Sequence, residues 1–225
     1  MSNKRSLEEK QKTIERLKRS GAVSEPKVIE AFLKVPREEF VKPDLRSEAY
    51  VDTPLPIGHG QTISAIHMVL MMSEILDLHI GHKMLEVGAG SGYHAAICAE
   101  IVAPHDTEKK GHVFSIERIP KLAEFARKNL ERAGYGDRVT VVVGDGTCGL
   151  QEEAPFDRIL VTAAGPRIPE PLIEQLKETG KLVIPIGQLH LWQDLILAEK
   201  TSKGISKKRL CGVAFVPLRG KYGWR

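Results

Sequence analysis

The chain has 225 residues and a net charge of +4, with 42% apolar and 28% charged residues, a composition that excludes a disordered chain or a small stapled module and is long enough for one sizeable core. Cys98, Cys148 and Cys211 are too few and too scattered for a disulfide framework, so buried free thiols in a reducing compartment are expected. Basic residues gather at 10–19 and 200–209 without interleaved aromatics, which predicts a solvated helix face and a hairpin tip rather than a nucleic-acid surface.

No signal-like apolar run follows the basic start, and the most apolar stretch, 63–78, carries Ser64, His67, Ser73, Glu74 and Asp77. A soluble, cytoplasmic protein is expected, with no membrane partner. Residues 7–19 have helical periodicity, and a second helix is expected over 25–34 with Ser24 as its cap and Pro26 in the first turn. From Pro43 to Thr62 the sequence has no period and reads as a long functional loop, after which Ser64 or Thr62 is expected to cap a helix running to about Leu78. Strands are then predicted at 84–87, 112–116, 139–143, 157–161 and 181–184, with helices at 93–102, 120–133 and 169–177. Two last strands, at 195–199 and 210–216, flank the basic turn as an antiparallel hairpin.

This alternation predicts an α/β fold: a Rossmann-like, doubly wound, mostly parallel sheet with an N-terminal helical extension and a C-terminal antiparallel hairpin. One domain over 1–225 is expected, divided into the extension and loop (1–80), a ligand-binding core (81–190) and the hairpin (191–225). Ligands of such sheets sit at the carboxyl ends of the strands.

The first core strand ends in Glu86-Val-Gly88-Ala89-Gly90-Ser91-Gly92. Its spacing, G-x-G-x-G, differs from the dinucleotide fingerprint G-x-G-x-x-G. A carboxylate at Glu86 would repel a pyrophosphate and suits an ammonium or sulfonium, which favours S-adenosylmethionine over a nicotinamide dinucleotide. Glu117, followed by Arg118, ends the second strand where an acid can accept from both ribose hydroxyls. Asp145 and Gly146 follow the third strand, with Asp145 expected to accept from the adenine amino group and Gly146 to leave room for the ring.

With these residues the chain resembles the protein-L-isoaspartate(D-aspartate) O-methyltransferase family over 7–225. Besides Leu85–Tyr93 and Val143–Gly146, the likeness rests on Pro56-Ile-Gly-His-Gly-Gln-Thr-Ile-Ser64, Val161-Thr-Ala-Ala164, Leu182–Gly187 and Phe215-Val-Pro-Leu218. A polar insertion at 105–110 and the tail Tyr222–Arg225 depart from the pattern. The resemblance implies S-adenosylmethionine-dependent methyl esterification of the α-carboxylate of L-isoaspartyl residues in damaged proteins and peptides, whose ester collapses to a succinimide, with S-adenosyl-L-homocysteine as product. It makes Ser64 the catalytic residue, a donor to the acceptor carboxylate. It adds Ile57, Gly58, His59, Gly60, Gln61, Thr62 and His67 to the cofactor contacts, and assigns Thr53, Pro54, Val161, Ala163, Ala164, Val216 and Leu218 to the peptide groove. Partners are then isoaspartyl proteins and peptides, with a monomer favoured.

A carboxylate is anionic at neutral pH and needs no general base, consistent with a sequence in which no His/Asp or Cys/His constellation demands one, and no metal is expected. The place after the fourth strand reads Thr162-Ala-Ala-Gly165, without the Asn/Asp-Pro-Pro-aromatic run of nitrogen-directed nucleic-acid enzymes, and no Pro-Cys pair occurs. A binding module without chemistry and a nicotinamide-linked oxidoreductase are the remaining alternatives.

Overall fold

A computed structural model describes residues 3–108, 111–189 and 191–225; the expected insertion at 105–110 therefore lies partly outside the described residues. Helices α1 (Asn3–Arg19) and α2 (Pro26–Lys34) open the chain. Ser24 does not cap α2 with its side chain: its hydroxyl and amide both donate to Glu74, and Glu25 takes the cap position. The 43–62 region holds more regular structure than its proline content suggests. A 3-10 turn spans Pro43–Glu48, and β1 (Leu55–Gly58) pairs antiparallel with β2 (Gln61–Ile63). Burial of Leu55, Ile57 and Ile63 holds this short hairpin, since two strands alone are marginal in water.

Helix α3 (Ile66–Ile75) stops before Leu78. The sheet follows: β3 (Lys83–Val87), α4 (Tyr93–Val102), β4 (His112–Glu117), α5 (Pro120–Arg132), β5 (Val139–Val143), β6 (Phe156–Val161), α6 (Glu170–Glu174), β7 (Leu176–Gly187), β8 (Gln193–Thr201) and β9 (Gly204–Val213). Strand order is β5-β4-β3-β6-β7-β8-β9, parallel from β5 to β7 and antiparallel beyond. The expected 169–177 helix shrinks to five residues because Leu176 already pairs with Phe156 as the start of a twelve-residue β7. The hairpin tip falls at 202–203, so most of the basic cluster lies along β9 rather than in the turn.

Alternation along β3 sends Met84 into the core under the helices of one face and Leu85 and Val87 into the core of the other. The sequence turns back at β3: β4 and β5 build outward on one side and β6 on the other, which makes the carboxyl end of β3 the switch point. Register places Val87 beside both Ile116 and Val161, and Glu117 beside Val143, so four strand ends finish level. Cys98 is buried, whereas Cys148 and Cys211 are partly exposed. Among the described residues no helix is long and apolar enough to cross a membrane.

Candidate active site

A cavity of about 420 Å³ opens above these strand ends, within the range of small-molecule sites. Its floor is Glu86 to Ser91, one side is Ile116 to Ile119, and its roof is the β1–β2 turn with β2 and Ser64 after it, from His59 to Ser64. Thr162, Ala163 and Val216 to Arg219 close the remaining side.

The glycine loop is held by its neighbours before any ligand arrives. Gly88 and Ala89 donate backbone N–H groups to Ile116 O, and Thr162 Oγ1 donates to Gly88 O at 2.8 Å. A Cβ on Gly88, at φ +99°, would lie 2.3 Å from Thr162 Oγ1, so both space and backbone demand glycine there. Gly90 N donates to Glu117 Oε2 at 3.0 Å, and Ile119 N donates to Glu117 Oε1 at 3.0 Å. These bonds fix the carboxylate plane and leave each oxygen a further lone pair.

Glu86 is wholly buried at the cavity floor. Ser115 donates its hydroxyl to Oε2, while Oε1 has no partner. Burial, with a smaller contribution from the neighbouring Glu117 charge, pushes the carboxyl up to about 8. A buried oxygen without a donor at the edge of a cavity is a site awaiting one. Beside it His94, 7% exposed, lines the cavity and contacts Ser73 Oγ through Nε2 at 3.0 Å. Ser73 spends its own proton on Val69 O, so His94 Nε2 carries a hydrogen, and burial keeps the imidazole neutral, with its value near 3.

Ser64 also lines the cavity and is partly exposed. It does not cap α3: Ala65 holds the cap position, and Asp52 Oδ1 accepts from His67 N at 2.9 Å in the capping role. Among the described residues the Ser64 hydroxyl makes no hydrogen bond, and its carbonyl accepts from Arg37 Nη2 at 2.8 Å. Arg37 is fully buried, donates from Nε to Ala49 O at 2.8 Å, and stacks over the Tyr93 ring at 4.7 Å. Its Nη1 and the Tyr93 hydroxyl are both buried without partners.

Of the expected cofactor residues, His59, Gly60, Gln61, Thr62, Glu86, Gly88, Ala89, Gly90, Ser91, Glu117, Arg118 and Gly146 reach the cavity. Ile57, Gly58, His67, Gly92 and Asp145 lie outside its wall. Ile57 backs the loop, its Cδ1 lying 3.3 Å from where a Gly90 Cβ would stand. His67 Nδ1 contacts Asp52 Oδ1 at 2.9 Å, and Asp52 Oδ2 pairs with Arg16 at 3.1 Å. Partial burial opposes ionisation of Asp52, but the His67 and Arg16 partners hold it down at about 2; the same bond raises His67. Asp145 Oδ1 accepts from Thr147 N and Thr147 Oγ1, and Oδ2 accepts from Lys221 N, anchoring the tail, while Gly146 beside it reaches the cavity.

Of the expected peptide-groove residues, Ala163, Val216 and Leu218 line the cavity, whereas Thr53, Pro54, Val161 and Ala164 do not. Val161 is buried inside β6, and the Ala164 N–H and C=O are taken by Val216 O and Leu218 N. That leaves Ala164 no amide for pairing with a peptide. Sequence reasoning missed Arg37, Tyr93, His94 and Arg219, and it placed Thr162, which lines the cavity, within the peptide-groove segment 161–164. An arginine between the apolar runs 31–33 and 40–41 was the available sign for Arg37.

The family model for protein-L-isoaspartate(D-aspartate) O-methyltransferase matches residues 8–223. A protein-L-isoaspartate O-methyltransferase of Hyperthermus butylicus is 61% identical over 97% of this chain and 91% of its own length. A crystal structure described as a beta-aspartate methyltransferase from Plasmodium falciparum in complex with S-adenosyl-L-homocysteine matches with a TM-score of 0.80 at 32% identity, covering 92% of this chain and 97% of that one. A second structure, named protein-L-isoaspartate O-methyltransferase, gives a TM-score of 0.84 at 33% identity over 95% of this chain and 67% of that one. The chain belongs to the protein-L-isoaspartate(D-aspartate) O-methyltransferase family. It is an S-adenosylmethionine-dependent enzyme that esterifies the α-carboxylate of L-isoaspartyl residues and so starts their repair through a succinimide.

Proposed function

We propose that this reaction runs in the cavity above β3–β6, with Ser64 holding the acceptor carboxylate and the strand ends holding the methyl donor. The observation that carries the reading is the buried, unpartnered Glu86 oxygen in a cavity that Ser64 also lines. An ammonium group fits that oxygen, and the lone pairs remaining on Glu117 fit a pair of ribose hydroxyls. Gly90, without a side chain, lets the loop close over such a ligand. The donor set therefore suits S-adenosylmethionine, which when bound supplies an electrophilic methyl carbon on a sulfonium.

The chain's own residues orient and enclose. Ser64 Oγ donates to one oxygen of the isoaspartyl carboxylate and leaves the other to react. Because the carboxylate is ionised at neutral pH, no residue has to remove a proton. Arg37 is a positioning residue: through Ser64 O and Ala49 O it fixes the backbone that carries the serine, and its buried charge favours an anion at that wall. The β1–β2 turn excludes water, and His67 with Asp52 fastens the base of that hairpin to α3. Alignment of acceptor and donor accounts for the rate. Residues 1–225 act as one domain, soluble and cytoplasmic, as a monomer with isoaspartyl proteins and peptides as partners and without nucleic acid.

The test uses labelled S-adenosylmethionine and two peptides that differ only in an isoaspartyl or an aspartyl link. Base-labile label confined to the isoaspartyl peptide is expected. Ser64→Ala should lower turnover by about a hundredfold, the size of losing one transition-state donor, with S-adenosylhomocysteine affinity unchanged. Equal labelling of both peptides, or a Ser64→Ala enzyme at full rate, would refute the reading.

A further inference from the structure

A second cavity, of about 360 Å³, adjoins the first. Pro217 lines both, and Ala164, bridged to Pro217, also borders the second. The walls of this second cavity are Leu191, Trp192, Ala214, Phe215 and Trp224 together with Pro217. Among the described residues no charged side chain lines it. Two glutamines also line it: Gln188 is exposed to solvent, and Gln193 is already committed, Nε2 donating to Leu191 O at 2.6 Å and Oε1 accepting from Phe215 N at 2.8 Å. Trp224 Nε1 donates to Ala164 O at 3.0 Å, which turns the indole's one polar atom into the wall.

Trp192 is 80% exposed and Leu191 is 59% exposed, the highest values among the large apolar side chains described. Leaving an indole in water forgoes most of its transfer free energy, and an apolar patch beside a reaction cavity marks a binding surface. Two side chains offer far less than the roughly 1,000 Å² that a stable second copy would need. A peptide already anchored next door needs no such area, because its binding is shared with the cavity that takes the isoaspartyl carboxylate.

We infer that this second cavity is a subsite for an apolar or aromatic side chain of the substrate, within two residues of the isoaspartyl link. The inference rests on the proposed function, because it takes the first cavity as the seat of the isoaspartyl group. An extended peptide advances about 3.3 Å per residue, so one or two residues carry a side chain past the shared Pro217 from one cavity to the next. The subsite sets preference among damaged sites rather than the chemistry, and it discriminates against charged neighbours, which would lose their water there.

The test is kcat/KM on isoaspartyl peptides with glycine, phenylalanine or glutamate at each of the two positions on either side. Wild type should favour phenylalanine over glycine about tenfold at one of these positions, the effect of burying a single aromatic ring, and disfavour glutamate. Trp192→Ala should bring the phenylalanine-to-glycine ratio to within about twofold while leaving the glycine peptide's kcat/KM unchanged. Trp192→Asp should favour a lysine-flanked peptide instead. A ratio that is the same in all three enzymes would overturn the subsite. So would an unchanged ratio accompanied by loss of a dimer in Trp192→Ala, which would assign the face to a second copy. Failure of wild type to methylate any isoaspartyl peptide would be a different result, one that removes the underlying reading and this inference with it.

Discussion

Replacing Glu86 by glutamine tests the electrostatics at the floor of the cavity. The folded chain keeps this carboxyl protonated up to about pH 8, whereas an ordinary carboxyl releases its proton near 4.5. Between those values the folded state holds a proton that the unfolded chain gives up, so stability falls as pH rises through the window and levels off above it. The slope is about 1.4 kcal/mol per pH unit, which amounts to about 3 kcal/mol by pH 7. Glu86→Gln removes this cost but places an amide NH2 where Oε1 stood without a partner, which returns about 1–3 kcal/mol. The ligand-free variant should therefore be as stable as wild type at pH 7 or up to about 2 kcal/mol more stable. Its stability relative to wild type should climb steadily from pH 5 to 8. Urea unfolding at four pH values reads this directly. S-adenosylhomocysteine should bind the variant more weakly, and its binding to wild type at pH 7 should release a proton that the variant does not release, seen by calorimetry in buffers of different ionisation enthalpy. Parallel pH profiles for the two proteins, with equal proton release, would refute the reasoning.

Two further substitutions separate positioning from folding. Arg37→Met should raise the KM for an isoaspartyl peptide about tenfold, the scale of one hydrogen bond to a charged group, with S-adenosylhomocysteine affinity held within about twofold; steady-state kinetics and calorimetry check the split. Asp52→Ala removes the cap of α3 and should cost about 1 kcal/mol or more in urea unfolding. Asp52 stabilises above its ordinary 3.8 and loses this as pH falls towards about 2, while His67 stabilises below its ordinary 6.5 and loses this as pH rises through its higher folded value. The difference between wild type and Asp52→Ala should therefore be largest between about pH 4 and 6.5.

The parallel sheet was legible because each central strand is a short apolar run flanked by helical periodicity, and a strand buried on both faces needs no alternation. The cavity lining was legible for a related reason: in this topology cavities open at strand ends, so the place of Glu86, Glu117 and Gly146 in its wall could be read from position. Features that depend on distant partners were not legible. Asp52 caps a helix fifteen residues away, and Arg37 reaches Ser64 across twenty-seven. The β1–β2 hairpin exists because the core buries its apolar side chains, not because Thr53 to Thr62 favours strands locally. Helix α6 is short because pairing with β6 takes Leu176, a tertiary override of a helical pattern. Asp145 was read as a ligand group from its position, yet the C-terminal tail, out of reach of any local pattern, holds its carboxylate.

The central claim is that donor and acceptor meet between Glu86 and Ser64, and a crystal structure of the complex with S-adenosylhomocysteine tests it most directly. The ligand's amine should lie within hydrogen-bond distance of Glu86, its ribose hydroxyls on Glu117, and its sulfur should face Ser64 across open space. A ligand whose sugar sits away from Glu117, or whose sulfur is walled off from Ser64, would contradict the account.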